Sequence, residues 1–202
     1  MKKILVIDDG ANNQASATKS LADSGYEVVV AKNFEEGFSL LRWSHGDYEV
    51  VLLDLLMPCP KSRAGAVLPL GPEARQFEGQ EMPFGFPLVF LAAMSGAQYI
   101  AVVTDANHHD HPMSAMLDPF EWLRNSGGVR LLLNGAAVKF FQYPATFPLQ
   151  GTVCNKCQGT GTLRDYKCYG CYGSGNQLGK DWGMLLKLLL SDEEPCRVVP
   201  GL

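Results

Sequence analysis

The stretch from Val50 to Pro58, V-V-L-L-D-L-L-M-P, constrains the fold more than any other part of the chain. Its run of large apolar residues is typical of a strand that is buried on both faces of a parallel sheet. One carboxylate, Asp54, interrupts the run, and a buried carboxylate is costly unless it has a partner. The pattern therefore predicts that Asp54 lies at the carboxyl end of its strand, where open α/β sheets bind their ligands.

Predicted strands alternate with predicted helices on both sides of this run. The other strands are expected at Lys3–Ile7, Tyr26–Ala31, Gln98–Thr104 and within two β-rich runs that Asn134-Gly135, a strong hairpin signal, separates. Helices are expected at Asn13–Ser24, Phe34–Ser44, Phe86–Ala97, Met113–Asn125 and Asp181–Leu190. Alternation of this kind predicts an α/β fold with a doubly wound, five-stranded parallel sheet.

Composition excludes several classes of protein. With 202 residues, of which 47% are hydrophobic and 19% charged, the chain is long enough for one globular core and a small appendage. Its net charge of -4 disfavours broad binding to nucleic acid. Only four apolar residues separate Lys3 from Asp8, which is too short for a signal peptide, and no later run could span a membrane. We therefore expect a cytoplasmic protein without membrane contact, whose six cysteines are thiols or metal ligands.

An acidic cluster is predicted at one rim of the sheet. Asp8 and Asp9 follow the first strand and Asp54 ends the third, so the three carboxylates should meet and repel one another. A hard divalent cation would join them, and Mg²⁺ suits an oxygen site of this kind. Thr104 ends the fourth strand at the same rim and offers a hydroxyl group. The set is suited to accepting a phosphoryl group on Asp54, with Thr104 holding a phosphate oxygen.

Three segments, K-K-I-L-V-I-D-D, V-V-L-L-D-L-L-M-P and A-V-V-T, together resemble the receiver domain of two-component response regulators. The resemblance covers residues 1–58 well and 98–144 loosely. It implies a CheY-like, flavodoxin-like fold in which Asp54 is the phosphoacceptor, Asp8 and Asp9 serve Mg²⁺ and Thr104 is the switch residue. It also implies a signalling module that is not an independent enzyme, with a histidine kinase or another phosphodonor as partner.

The lysine of the receiver pattern is missing from its usual place. Receivers have a lysine at the end of the fifth strand, usually just before a proline, where this chain has Tyr143. The nearest lysine, Lys139, lies near the start of that apolar run and is expected at the wrong end of the strand. The alternative is therefore a phosphorylation-independent pseudo-receiver adaptor. A metal-dependent phosphatase is disfavoured, because such enzymes have a D-x-D pair around the nucleophile and Asp54-Leu55-Leu56 lacks it.

A second motif, C-x-x-C-x-G-x-G, occurs twice between residues 154 and 175. Two such pairs suit one closed, tetrahedral, structural Zn²⁺ site, and the glycines allow backbone amides to point at the sulfurs. The predicted ligands are Cys154, Cys157, Cys168 and Cys171. The repeat resembles the cysteine-rich zinc region of the DnaJ co-chaperones, which has four such repeats, and this implies a hairpin that binds protein. Stacking of single-stranded nucleic acid on Tyr166, Tyr169 and Tyr172 is a weaker alternative.

The order of these parts suggests how the chain is organised. We predict a receiver-like domain at 1–150 with an irregular insertion at 59–87, the zinc hairpin at 151–177, and a closing helix and tail at 178–202. In this hypothesis the hairpin is inserted between the fifth strand and the fifth helix, Asp181–Leu190. The alternative is that Phe120–Arg124 belongs to the last receiver helix and the cysteine region is a separate module.

Several residues carry weaker signals. The histidines after the fourth strand, His108, His109 and His111, could place two ligands on a metal, although a solvated loop is the preferred interpretation. Cys59 and Cys196 have no evident partner and are expected to be plain thiols. The apolar stretch Met82–Met94 is expected in the core, and it would suit a dimer contact if one face were exposed.

Overall fold

The computed structural model describes residues 2–61, 72–105, 112–116, 130–142 and 146–191. Its helices, in chain order, are α1 (Ala11–Ser20), α2 (Phe34–Trp43), α3 (Gly85–Met94), α4 (Pro112–Ala115) and α5 (Trp182–Leu190), with a 3₁₀ helix at Pro72–Phe77. Its strands are β1 (Lys3–Ile7), β2 (Glu27–Ala31), β3 (Tyr48–Asp54), β4 (Met57–Pro58), β5 (Glu81–Met82), β6 (Tyr99–Thr104), β7 (Arg130–Leu133), β8 (Ala136–Gln142), β9 (Thr146–Pro148), β10 (Thr162–Leu163), β11 (Tyr166–Lys167) and β12 (Leu178–Lys180).

The central sheet is mostly parallel, as the alternation of strands and helices predicted. Its order is β2-β1-β3-β6-β8-β7, and the first five of these strands run parallel. Counting only the parallel strands in chain order gives 2-1-3-4-5, the doubly wound order of flavodoxin-like folds. Strand β3 lies at the centre of this set, which explains why its sequence is apolar on both faces.

The five parallel strands are present as predicted, but the sheet has one strand more. Strand β7 pairs antiparallel with β8 and adds a sixth strand at the edge of the sheet. The turn between them is Asn134-Gly135, and both residues have positive φ angles, 49° and 83°. Such a pair is typical of a type I′ turn, which matches the twist of the two strands. The Asn134-Gly135 pair therefore predicted the hairpin correctly. Both β-rich runs that it connects belong to the central sheet.

Helices cover both faces of the sheet. On one face α2 and α3 bury a cluster that includes Phe34, Leu41 and Leu88. On the opposite face α1 and α5 bury a second cluster that includes Leu21 and Trp182. The predicted cap of α2 is confirmed, because the Asn33 side chain accepts a hydrogen bond from the Glu36 amide. Helix α1 begins at residue 11 and ends at residue 20, so it starts and ends earlier than predicted.

The closing helix α5 is part of the main core although it follows the cysteine-rich segment. Trp182, Leu185, Leu186 and Leu189 are buried against the face of the sheet that α1 also covers. The cysteine segment thus lies between β8 and the last helix in the order of the chain. Residues 120–124, the alternative last helix, lie outside the described residues, and the predicted domain boundaries stay a prediction.

The segment after β3 is only partly regular. Strands β4 and β5 form a short antiparallel pair, and the 3₁₀ helix lies where a short helical piece was predicted. In α3, Leu88, Val89, Ala92 and Ala93 are buried, whereas Phe90 and Met94 on its other side are exposed. The stretch is therefore largely core, as expected, and a dimer contact through it stays a prediction. None of the described helices is long and apolar enough to cross a membrane.

Two leucines of α5 test whether this helix belongs to the core. Leu185 is 2% exposed and Leu188 is 40% exposed. We expect Leu185→Ala to lower the free energy of unfolding by about 2–5 kcal/mol, because it removes buried methyl groups and leaves a cavity. Leu188→Ala is the matched control and should cost less than about 1 kcal/mol. Urea unfolding followed by circular dichroism measures both, and equal effects would contradict the placement of α5.

Candidate functional site

The predicted acidic cluster forms at the carboxyl edge of the sheet. Strands β1 and β3 are neighbours, with Ile7 paired to Leu53, so Asp8 and Asp54 follow side by side. Carboxylate oxygens of Asp8, Asp9 and Asp54 lie within 4.8 Å of one another. Thr104 is the last residue of β6, the next strand in the sheet, and it is buried. The structure thus brings all four predicted residues to one rim.

A buried lysine that sequence reasoning missed completes this cluster. The ammonium of Lys180, at the end of β12, lies 2.7 Å from Oδ2 of Asp8 and 2.9 Å from Oδ2 of Asp54. Its side chain is only 2% exposed. A charge buried to this extent needs paired partners, and the two carboxylates provide them. Lys180 therefore bridges the ends of β1 and β3.

The surroundings of Lys180 are ordered by helix α1. The Lys180 amide donates to Oδ1 of Asn13 over 3.0 Å, and the Ser16 hydroxyl donates to the carbonyl of Lys180 over 2.8 Å. Asn13 also donates from Nδ2 to Oδ1 of Asp8 over 3.0 Å. The indole of Trp182 donates to the Asn13 carbonyl over 2.9 Å. Asn13 therefore connects Asp8, β12 and the start of α5.

Burial and the neighbouring charges together shift the pKa values of the groups at this site. Burial raises the pKa of Asp54 well above the usual carboxyl range, and the negative charge of Asp8 adds to this, while Lys180 opposes it. Burial likewise raises the pKa of Asp9, with a further contribution from Asp8. Burial disfavours the charged form of Lys180, but the attraction of Asp54 and Asp8 outweighs it, and the net pKa of Lys180 is raised. The lysine is therefore held in its charged form.

The donor set fits a divalent cation. Three carboxylates and one ammonium leave two negative charges at the rim when all are ionised. Asp105, directly after β6, adds to the negative potential felt by Asp54. Clustered carboxylate oxygens are the ligands that Mg²⁺ prefers. Asp8, Asp9 and Asp54 are thus the residues that would hold it.

Lys139 does not take part in the cluster. It pairs with Ala101 in the middle of β8 and β6, and its ammonium donates to the carbonyl oxygen of Leu188 over 2.6 Å. The expectation that Lys139 is unsuitably placed is therefore correct. Tyr143, at the position of the usual receiver lysine, lies outside the described residues. A different lysine, Lys180, reaches the carboxylates of Asp8 and Asp54 from a later segment of the chain.

The four predicted zinc ligands converge in a second site. The Sγ atoms of Cys154 and Cys168 are 3.9 Å apart, and those of Cys157 and Cys171 are 3.6 Å apart. Four sulfurs at a Zn–S distance of about 2.3 Å in a tetrahedron would be separated by about 3.8 Å. All four cysteines are buried, and none of them forms a disulfide. The geometry therefore fits a single tetrahedral metal ion.

The two cysteine motifs pack as a repeated unit. The Gly161 amide donates to Sγ of Cys157 and the Gly175 amide to Sγ of Cys171, each over 3.3 Å. Both glycines have positive φ angles, and a Cβ atom on Gly161 would lie 2.5 Å from the carbonyl oxygen of Gly173. Only glycine fits such a close approach of two backbones. The repeated glycines thus have a structural reason independent of any family.

Burial and the neighbouring groups shift the pKa values of the clustered thiols. Burial alone would raise the pKa of Cys157, but the Gly161 amide and the neighbouring thiols lower it to about 6. Burial raises the pKa of Cys168 to about 11. Four neighbouring sulfurs cannot all carry a negative charge unless a positive ion balances them. A metal ion would supply that charge.

Of the weaker candidates, only Cys59 lies within the described residues. His108, His109, His111 and Cys196 lie outside the described residues. Cys59 is buried beside the carbonyl of Ala74, and burial raises the pKa of its thiol. It is therefore a buried thiol, in line with the expectation of a plain one.

Comparison with known proteins gives structural likenesses only. No family model and no curated protein matches the chain. One similar structure is a response regulator receiver domain protein from Clostridium thermocellum, at 18% identity and a TM-score of 0.40 over 72% of this chain and 84% of that one. Another is a CheY-like receiver domain protein from Methanospirillum hungatei JF-1, at 20% identity and a TM-score of 0.41 over 72% and 83%.

A third likeness is to a co-crystal structure from Saccharomyces cerevisiae of the histidine phosphotransfer protein Ypd1 and the receiver domain of the response regulator Ssk1. Its identity is 18% and its TM-score is 0.37, over 71% of this chain and 79% of that chain. Likenesses of this extent assign neither a family nor an activity. The chemistry of the rim therefore has to be inferred from the rim's own residues.

Replacing Lys180 tests whether its ammonium stabilises the two buried carboxylates that it contacts. We expect Lys180→Met to lower the free energy of unfolding by about 3–5 kcal/mol, because it leaves Asp8 and Asp54 buried without their partner. Lys187→Met, at an exposed lysine of α5, is the control and should have little effect. Urea unfolding at neutral pH is the measurement. A loss at Lys180 no greater than at Lys187 would contradict the buried ion pair.

The stability of the wild type and that of Asp54→Asn should depend differently on pH. Because the pKa of Asp54 is raised in the folded state, its ionised form weakens the fold increasingly as the pH rises above the usual carboxyl range. We therefore expect the free energy of unfolding of the wild type to fall relative to that of Asp54→Asn as the pH rises from the usual carboxyl range to 7. Urea unfolding in the absence of Mg²⁺ at several pH values measures this. A difference between the two proteins that stays constant from acid pH to pH 7 would contradict the raised pKa.

Proposed function

We propose that this chain is a receiver-type signalling module that accepts a phosphoryl group on Asp54. It is not an independent enzyme in this proposal, since the phosphoryl group stays on the chain as a signal. The observation that carries it is the contact of Lys180 with both Asp8 and Asp54. Carboxylates for Mg²⁺, a nucleophilic carboxylate, a hydroxyl and a lysine then all occupy one rim of the sheet, which is what the resemblance to receivers implies.

The groups at the rim suggest how the transfer proceeds. An oxygen of the Asp54 carboxylate attacks the phosphorus of an acyl phosphate or a phosphohistidine, and the bond from phosphorus to the carboxylate or imidazole leaving group breaks. Bound Mg²⁺ would supply charge neutralisation for the phosphoryl oxygens. Lys180 adds a fixed positive charge beside the attacking carboxylate, and Thr104 offers a hydroxyl from the adjacent strand.

The phosphodonor partner follows from the same chemistry. A carboxylate nucleophile needs an activated phosphoryl group, which a protein phosphohistidine or a small acyl phosphate provides. We propose a histidine kinase or phosphotransfer protein as the physiological partner, in agreement with the two-component resemblance of the three motifs.

Phosphorylation tests the proposal directly. After incubation with acetyl phosphate and Mg²⁺, intact mass spectrometry should show one phosphoryl adduct on the wild type and none on Asp54→Asn. Asp47→Asn, at an exposed carboxylate, is the control and should retain the adduct. An unmodified wild type, with its fold and metal content intact, would refute the receiver proposal and leave the phosphorylation-independent adaptor.

The cysteine hairpin is proposed to hold one structural zinc ion and to present a surface for a protein partner. Tyr166, Tyr169 and Tyr172 project from it and are all largely exposed. Lys156 lies over the Tyr169 ring at 4.7 Å, which gives the surface a cationic edge. Exposed tyrosines of this kind are enriched at protein interfaces. The same observation favours the adaptor as the second candidate function.

Zinc content tests the hairpin site. The purified chain should contain one zinc ion, and Cys157→Ser should lose it because a structural zinc site needs four ligands. Cys59→Ser removes a buried thiol outside the cluster and should keep the zinc. Elemental analysis of the three proteins is the measurement. Equal zinc in Cys157→Ser and the wild type would contradict the assignment of ligands.

A further inference from the structure

We propose that metal loading of the cysteine hairpin controls phosphoryl acceptance at Asp54, because the hairpin positions Lys180. The inference rests on the proposed function and adds a regulatory input to it. Lys180 acts directly at the reacting carboxylate, whereas the four cysteines act through it. The two sites, which the sequence presents as unrelated motifs, are joined in this proposal by the short segment from Cys171 to Lys180.

The first part of the connection is a set of hydrogen bonds made by the backbone of residues 175 and 177, where the chain leaves the cysteine hairpin. The amide of Gly175 donates to Sγ of Cys171, and its carbonyl accepts from the amide of Cys154 over 2.9 Å. Two residues further on, the carbonyl of Gln177 accepts from the amide of Leu149 over 2.9 Å, and its amide donates to the hydroxyl of Thr152. Hydrogen bonds between the segment that enters the hairpin and the segment that leaves it therefore hold both segments in place.

The second part is a packing contact. Leu178 packs against the cluster of four buried cysteines, as Leu163 also does. Leu178 is also the first residue of β12, only two residues before Lys180. A change in the cysteine cluster thus reaches the strand that carries the lysine without passing through any other element.

The third part places the lysine. Strand β12 pairs antiparallel with β9, and Lys180 faces Thr146 in this pairing. Gly179 lies so close to α1 that a Cβ atom there would be 2.5 Å from the Asn12 carbonyl oxygen. The strand therefore packs directly against α1. This packing directs the side chain of Lys180 to the ends of β1 and β3.

This arrangement depends on the hairpin being ordered. Strands β9 and β12 have three residues each, and a two-stranded pair of that size is marginal by itself. Between them lies the cysteine hairpin, whose own core consists of the cysteines with Leu163 and Leu178. A segment with so little apolar core depends on a bound metal for its fold. Without the metal, the geometry that buries the Lys180 charge loses one of its supports.

The consequence at the rim is electrostatic. A displaced Lys180 would leave Asp8 and Asp54 facing each other without the intervening ammonium. Negative charge would then accumulate where an incoming anionic phosphoryl group must approach, and this repels it. Transfer from acetyl phosphate to a carboxylate oxygen of Asp54, with release of acetate, should therefore slow down when the hairpin is empty.

The experiment compares rates of adduct formation by intact mass spectrometry, with acetyl phosphate and excess Mg²⁺. We expect the zinc-loaded wild type to react at least tenfold faster than Cys157→Ser or the wild type treated with a zinc-selective chelator, and zinc should restore the chelated protein. Lys180→Gln should be as slow as the metal-free protein. Chelation of Lys180→Gln should add little, because both changes remove the same contact. Lys187→Gln is the control and should behave as the wild type.

Hydrogen exchange gives a readout that does not depend on activity. On removal of zinc, the amides of β12 should exchange faster, whereas those of β1 and β3 should keep their protection. Faster exchange throughout the sheet would show general unfolding and overturn the proposed coupling. An adduct that forms equally fast with and without zinc would overturn the coupling alone, whereas no adduct in the zinc-loaded wild type would refute the proposed function itself.

Discussion

The buried contact of one ammonium with two carboxylates is the interaction on which this structure depends. Lys180 is 172 residues away from Asp8 along the chain, yet their charged groups lie 2.7 Å apart. Burying three charges is unfavourable in itself, and their mutual attraction in a poorly solvated site offsets that cost only if the geometry is well defined. Helix α1, strand β12 and the start of α5 provide that geometry through Asn13, Ser16 and Trp182.

The same contact relates the fold to its proposed chemistry. A parallel sheet directs the ends of β1, β3 and β6 to one rim, so the carboxylates and Thr104 meet there as a result of topology. Topology does not provide a cation at that place, because β8 carries its lysine in the middle of the strand. The chain supplies the cation from β12, a short strand outside the central sheet that follows the cysteine hairpin. In this account the hairpin is part of the signalling site and not only an appendage.

Much of the fold could be predicted from local patterns. The apolar run before Asp54 specified a central strand, and Asn134-Gly135 specified a hairpin. The acidic cluster followed from the rule that parallel strands end at one edge, and the cluster of four cysteines followed from their spacing. The sixth strand was missed because the hairpin signal does not say how many of its arms join the main sheet.

Lys180 could not be predicted in the same way. The receiver pattern places a lysine at the end of the fifth parallel strand, whereas Lys180 lies beyond the whole hairpin, next to the Asp181 cap of α5. Its one local signal is that it directly precedes a helix that closes the fold. Its contact with Asp8 and Asp54 depends on the packing of Gly179 on α1, which is a tertiary feature.

A crystal structure of the zinc- and magnesium-loaded protein, phosphorylated on Asp54 or carrying a stable phosphoryl analogue there, tests the central claim most directly. The account predicts that Nζ of Lys180 lies about 2.7–2.9 Å from a phosphoryl oxygen, the distance of a charge-assisted hydrogen bond. A structure in which another cation contacts the phosphoryl group, with Lys180 directed away from it, would contradict the account.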